Sequence, residues 1–181
     1  MVFLFRDRSD INLIFILLLS VLVHAHNFAQ PPLVIYNESD GLLAVFLMKY
    51  IQPLSPVVLT ILFQVIILSQ AIRLNVMLSQ FKMFQQISYL PAFTYLLLTA
   101  LFPYWDAISS GLIANSLVIW ILVKLLRLYD QSQPKTLEFN IGLIVGISIL
   151  LYEPIAILIP VVLFALIIIR PFKMAEWLVL V

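Results

Sequence analysis

The chain has no cysteine, which excludes disulfide frameworks, thiolate nucleophiles and cysteine-based metal sites. Either redox compartment remains compatible with it. Charge is scarce: Asp, Glu, Lys and Arg make up 10% of the residues, against about 25% in ordinary soluble domains. The net charge of +1 comes without the clustered basic face that nucleic acid requires. No charged residue falls at the middle of a long apolar run, which counts against a proton-coupled transporter or a voltage sensor, both of which need charge at depth. Phosphate loop, dinucleotide fingerprint, nucleophile elbow and His-Glu-x-x-His are all missing. Soluble-enzyme chemistry has no foothold, and no cofactor or metal is expected.

What fills the chain instead is apolar sequence, 64% hydrophobic with a mean hydropathy of +1.12. So many apolar runs cannot all fold inwards in 181 residues, so lipid must act as solvent. The expected fold is an all-α polytopic transmembrane bundle with spans at about 11–28, 54–72, 87–102, 107–128, 139–152 and 154–169. Residues 177–181 open a further apolar run that stops at once, as a C-terminally incomplete chain would. The first run also has the outline of a secretory signal, but Asp7 and Asp10 spoil its basic start, and a first span is the better reading.

Between the first two spans, residues 30–53 form a connector. Pro31-Pro32 stops any helix, and the run from Asn37 through Gly41 has turn chemistry. Residues 41–51 are apolar but too short to cross, which predicts an interfacial helix capped by Ser39 or Asp40. Asn37-Glu38-Ser39 also spells a glycosylation sequon, read as chance. Residues 73–86 place Leu74, Met77, Leu78, Phe81 and Phe84 at helical spacing opposite polar partners. They are expected as a cytoplasmic amphipathic helix, on the membrane surface or extending the span. A polar loop at 130–138 precedes the last two runs.

Basic residues set the sidedness. With six spans and a cytoplasmic N-terminus, Arg6, Arg8, Arg73, Lys82, Lys124, Arg127, Lys135, Arg170 and Lys173 share one side and only Lys49 the other. Nine against one is a strong positive-inside bias. Treating 139–169 as a single span weakens it to seven against three, so a hairpin turning at Glu153-Pro154 is preferred. Pro160 is expected to kink its second arm.

Gly142 and Gly146 form a Gly-x-x-x-Gly pair suited to close helix packing, within the chain or with a second copy. Gln64 and Asn115, polar within spans, are expected to hydrogen-bond neighbouring helices, or else to mark a substrate path. On the outer face gather His24, His26, Glu38, Asp40, Asp106 and Glu153, with several aromatics. His24 and His26 stand two apart and point to different sides of a helix, a poor metal pair. Glu38, Asp40, Asp106 and Glu153 are the catalytic candidates: carboxylates at a water–lipid boundary can act as general base or hold a divalent ion beside a lipid-linked phosphate. The competing reading is plain solvation of acidic turns.

The C-terminal half carries Glu138-Phe139-Asn140-Ile141-Gly142, then Tyr152-Glu153-Pro154, then Arg170-Pro171-Phe172-Lys173 with Glu176-Trp177. This pattern resembles a bacterial family of multi-span inner-membrane proteins of unknown function, in which a Phe-Asn-x-Gly helix leads through a Pro-containing turn to an Arg-Pro-Phe…Glu-Trp segment. The resemblance implies an inner-membrane location and further spans after the Glu-Trp segment. It brings no activity, cofactor or catalytic residue. Glu153 stands where the family pattern implies an apolar or aromatic residue.

Two functions compete. One is a non-enzymatic component or partner subunit of a cell-envelope complex, with the lipid bilayer and other membrane subunits as partners. The other is a membrane enzyme acting on a polyprenyl-phosphate-linked substrate at the outer face, resembling glycosyltransferases of that kind. A transporter is third. The discriminating feature is whether Glu38 or Asp40 meets Asp106 or Glu153 around a cavity open to lipid.

Overall fold

The computed structural model of the chain describes residues 10–37, 40–84, 88–102, 105–129 and 135–169. Glu38, Ser39 and the apolar run at 177–181 lie outside the described residues. The described chain is all-α in class: seven α-helices, joined by two 3-10 turns and one pair of two-residue strands. They are α1 Asp10–Val23, α2 Leu42–Ile51, α3 Pro56–Gln80, α4 Leu90–Leu101, α5 Ser110–Leu128, α6 Lys135–Leu151 and α7 Leu158–Ile169. The strands are β1 Leu33–Val34 and β2 Ala107–Ile108.

Local chemistry sets the boundaries. Pro56 opens α3 in its first turn, where a missing N–H costs nothing. Lys82 closes it in the left-handed region with φ 51°. Ser109 caps α5, its hydroxyl accepting from the Leu112 N–H at 3.2 Å. Arg73–Gln80 continues α3 rather than starting a separate surface helix. Lys135 and Glu138, read from sequence as loop, form the first turn of α6, with Glu138 buried.

The cap expected at Ser39 or Asp40 is corrected. Gly41 is the N-cap of α2 and no side chain caps it, because the Asp40 carboxylate is engaged elsewhere. Pro160, expected to kink the interior of the sixth span, does not stand in a helix interior. Pro154 falls in the 3-10 turn Glu153–Ile157 and Pro160 in the first turn of α7. First-turn N–H groups have no intrahelical partner, so proline is accommodated there.

Packing orders the helices into an alternating bundle. The end of α1 meets the start of α3, where the Thr60 hydroxyl donates to the Asn27 carbonyl at 3.0 Å. The far part of α3 meets the start of α4, where the Ala92 N–H donates to the Asn75 side chain at 3.3 Å. The chain therefore leaves along α3, returns along α4, leaves along α5 and returns along α6. Leu158, at the head of α7, packs with Ala44, Ala114 and Leu151. Val162 and Leu166 pack further along with Leu125, Leu128 and Ile141. So α7 leaves again beside α5, antiparallel to α6.

The connectors 24–41, 102–109 and 152–157 gather at one end of this bundle. There β1 pairs in parallel with β2, Leu33 opposite Ala107 and Val34 opposite Ile108. α2 lies across the same end, Asp40 bridging to Tyr152 and the Gly41 N–H donating to the Leu151 carbonyl at 3.1 Å. A Cβ on Gly41 would overlap the Leu150 carbonyl. Two helices, α3 and α5, are long and apolar enough to cross a bilayer unaided. α1, α2, α4 and α7 are shorter apolar helices.

Of the Gly-x-x-x-Gly pair, Gly146 is the half that stands in open space: a Cβ there would meet nothing within 4 Å among the described residues. Two opposite outcomes follow. Gly41→Ala should destabilise the protein by about 1–3 kcal/mol, the usual cost of overpacking. Gly146→Ala should stabilise it by about 0.5–1 kcal/mol, since Gly is costly inside a helix. Reversible denaturation of the purified chain in detergent measures both.

Candidate functional site

α4 and α5 both lie against α3 yet stand apart from one another along their backbones. What spans the gap is a polar network at the level of Gln70, which is fully buried. The Gln70 amide donates to the Leu112 carbonyl and to the Ser116 hydroxyl, each at 2.7 Å. Its carbonyl accepts from the Tyr95 hydroxyl at 2.6 Å and from the Asn115 amide at 3.3 Å. Asn115 also donates to the Tyr95 oxygen at 2.9 Å. One side chain of α3 thereby ties α4 to α5 through a closed set of hydrogen bonds, as apolar surroundings demand. Gln64 does the same between α3 and α1, donating to the Ser20 hydroxyl. The helix-joining role expected of Gln64 and Asn115 is thus observed.

Above this network, towards the connector end, is a cavity of about 500 Å³. Tyr95 and Asn115 form its floor. Thr99 and Gly111 stand midway, and Trp105, Ser109 and Tyr152 form the rim. The Trp105 ring stacks at a tilt on Phe102, centroids 4.7 Å apart, which fixes the rim on the α4 side. No described lining residue is charged.

Asp40, Asp106 and Glu153 stand around this cavity without entering its described lining. Asp40 accepts from the Ser110 hydroxyl and from the Asn37 N–H, the latter at 2.9 Å. It thereby joins the connector to the start of α5, where the helix dipole favours a negative charge. Asp106 accepts from the Asn27 amide at 2.7 Å and from the His26 ring. That carboxylate fastens the 3-10 turn after α1 to the segment before β2. Glu153 is exposed at the turn into α7. Asp40 and Asp106 therefore belong to two separate networks, and Glu38 lies outside the described residues. His24 is buried against the Phe63 ring, its Nδ1–H donating to the Ser20 carbonyl at 3.1 Å. Among the described residues, no three His, Asp or Glu side chains gather as a metal site.

Sequence reasoning missed Gln70 and Tyr95, the two side chains on which the network turns. Gln70 falls near the end of the 54–72 run, where Gln64 alone reads as a polar residue within the span. Only its alignment with Leu112 and Ser116 reveals its depth. Comparison with protein-family models, with curated proteins and with solved structures finds no match.

The network predicts a measurable coupling. Gln70→Leu and Tyr95→Phe should each destabilise by about 1–3 kcal/mol, the cost of orphaning buried polar partners. In a double-mutant cycle the pair should show a coupling energy of about 0.5–2 kcal/mol. Strict additivity would mean that the two side chains do not share a hydrogen bond in the folded protein.

Proposed function

We propose that the chain is a six-span inner-membrane protein with a cytoplasmic N-terminus, acting by binding and assembly as a non-enzymatic component of a cell-envelope complex. Its surface supports the membrane part of this reading. Ile14, Leu18 and Leu22 form an exposed stripe on α1, and Val57, Ile61 and Val65 one on α3. Phe164 and Ile168 are exposed on α7. Soluble monomers rarely expose continuous apolar faces of this kind, whereas hydrocarbon solvates them.

Charge placement supports the sidedness. Arg73, Lys82, Lys124, Arg127 and Lys135 lie towards the end of the bundle opposite β1, β2 and α2. Asp40, Asp106 and Glu153 lie at the connector end with Lys49. That distribution is the positive-inside pattern with the connector end outermost. The resemblance of the 138–177 segment to a family of inner-membrane proteins points to the same location.

The observation that carries the non-catalytic reading is the engagement of Asp40 and Asp106 in structural hydrogen bonds beside a cavity with a neutral lining. A general base needs a carboxylate within hydrogen-bond reach of the reacting group. The neighbourhood of Asp40 and the cavity rim favours the second reading, an enzyme for a lipid-linked substrate that uses Asp40, Asp106 or Glu153.

Two measurements test these statements. The absence of native cysteine gives a clean background for labelling with an impermeant thiol reagent. Ser55→Cys and Gln80→Cys, at opposite ends of α3, should react from opposite sides of the membrane. Reaction of both from one side would overturn the topology. Asp40→Asn and Glu153→Gln, compared at equal protein level, should leave the envelope phenotype of the wild type intact. Its loss in either folded variant would transfer the reading to the enzyme.

A further inference from the structure

We infer that the cavity between α4 and α5 binds one uncharged, hydroxyl-rich ring, a sugar unit, either free or as the head group of a glycolipid. The inference rests on the binding role proposed above and specifies its ligand. Four observations lead to it.

The first is size. About 500 Å³ lies within the range of small-molecule pockets. It accommodates a single head-group ring and is too small for an extended chain.

The second is charge. A phosphate or carboxylate in this space would lose its hydration with no cationic side chain in the described lining to replace it. Asp40, bonded to Ser110 next to the rim residue Ser109, repels an anion further. A bare cation finds no carboxylate among the described lining residues either.

The third is the hydrogen-bonding inventory left after internal bonds are made. The Asn115 amide N–H groups are directed to Gln70 and Tyr95, which leaves its carbonyl oxygen as an acceptor. The Thr99 hydroxyl donates to the Leu96 carbonyl at 2.9 Å and keeps its lone pairs. Ser109 accepts from the Leu112 N–H and keeps its proton. Acceptors on the inner walls and donors at the rim match groups that donate and accept through one atom. Hydroxyls do this.

The fourth is shape at the entrance. Trp105, steadied by Phe102, and Tyr152 present flat rings. The C–H face of a pyranose packs on such a ring, and aromatic side chains with a polar tip suit a surface that is apolar and wet by turns.

The experiment uses the full chain in lipid nanodiscs, with binding read by calorimetry. One arm titrates free glucose, galactose and N-acetylglucosamine. The other compares discs containing a monoglycosyl diacylglycerol with discs containing the same diacylglycerol bare, read by thermal stabilisation. Saturable binding of a free sugar, or stabilisation by the glycosylated lipid alone, is the expected result, and the responding arm tells the two sources apart. Trp105→Ala, at the exposed rim, should weaken binding about tenfold, some 1.4 kcal/mol, with an unchanged melting temperature. Trp105→Phe should restore most of the affinity. Thr99→Val, nearly isosteric, should weaken binding without unfolding. Silence in both arms overturns the inference. So does binding that ignores Trp105→Ala and Thr99→Val. Choline or inorganic phosphate binding in place of sugar would overturn the ligand assignment and leave the binding role intact. Release of free sugar or transfer of it from the glycolipid would instead overturn the non-catalytic role.

Discussion

The full burial of one amide governs the middle of this bundle. Gln70 sits on α3 with no solvent access, and an amide in such a place must satisfy donors and acceptor from its neighbours. Leu112, Ser116, Tyr95 and Asn115 do so. The requirement holds α4 and α5 at the spacing of a side chain reaching from each to a third helix. Two helices fixed through a shared polar bridge cannot also close on each other along their length. The cavity above Gln70 is therefore a consequence of how α3 is satisfied, and the residues of the bridge form its floor.

At the connector end the same rule works with charge. A carboxylate at the end of an apolar bundle can stay in water or accept hydrogen bonds from the scaffold. Asp106 accepts from two residues of the turn that follows α1. Asp40 accepts from the start of α5 while the backbone beside it bridges to Tyr152 and Leu151. Each of these acids joins segments distant in sequence. β1 and β2 add a few backbone bonds of the same kind, the Ile35 N–H donating to the Ile108 carbonyl at 3.1 Å. This end is consequently a lid of short, polar ties laid over helices that pack through Leu, Ile and Phe.

Much of this was legible in the chain and some of it was not, for physical reasons. Apolar runs and turn residues mark where helices lie, because burial in hydrocarbon or core selects both. Asn115, polar within an apolar run, was legible as a group that bonds neighbouring helices. Gln70 was not, because depth depends on which neighbour stands level with it, and that is a tertiary fact. The helix at 42–51 was legible from its composition, but its cap was not: Asp40 has two uses for its oxygens, and bonding to Ser110 and Asn37 wins over capping α2. Pro160 was misread because a proline breaks a helix only in its interior. Where the helix starts, after the tight turn at Pro154, was the missing information.

Gly146 remains, where packing among the described residues gives no account of the residue. On α6 it faces outward, in line with Phe139, Leu143 and Leu150, all of them exposed. An apolar face of large side chains interrupted by a glycine is solvated by lipid as readily as an unbroken one. In hydrocarbon, apolarity supplies no force between helices, so close packing needs a complementary surface and a gain in van der Waals contact. A notch at Gly146 lowers the steric barrier to such contact without providing the attraction. The same separation holds for the cavity. Its outline comes from what the bundle must satisfy internally, whereas its occupant is chosen by the groups left over, and in this chain those are hydroxyls, an amide oxygen and the faces of aromatic rings.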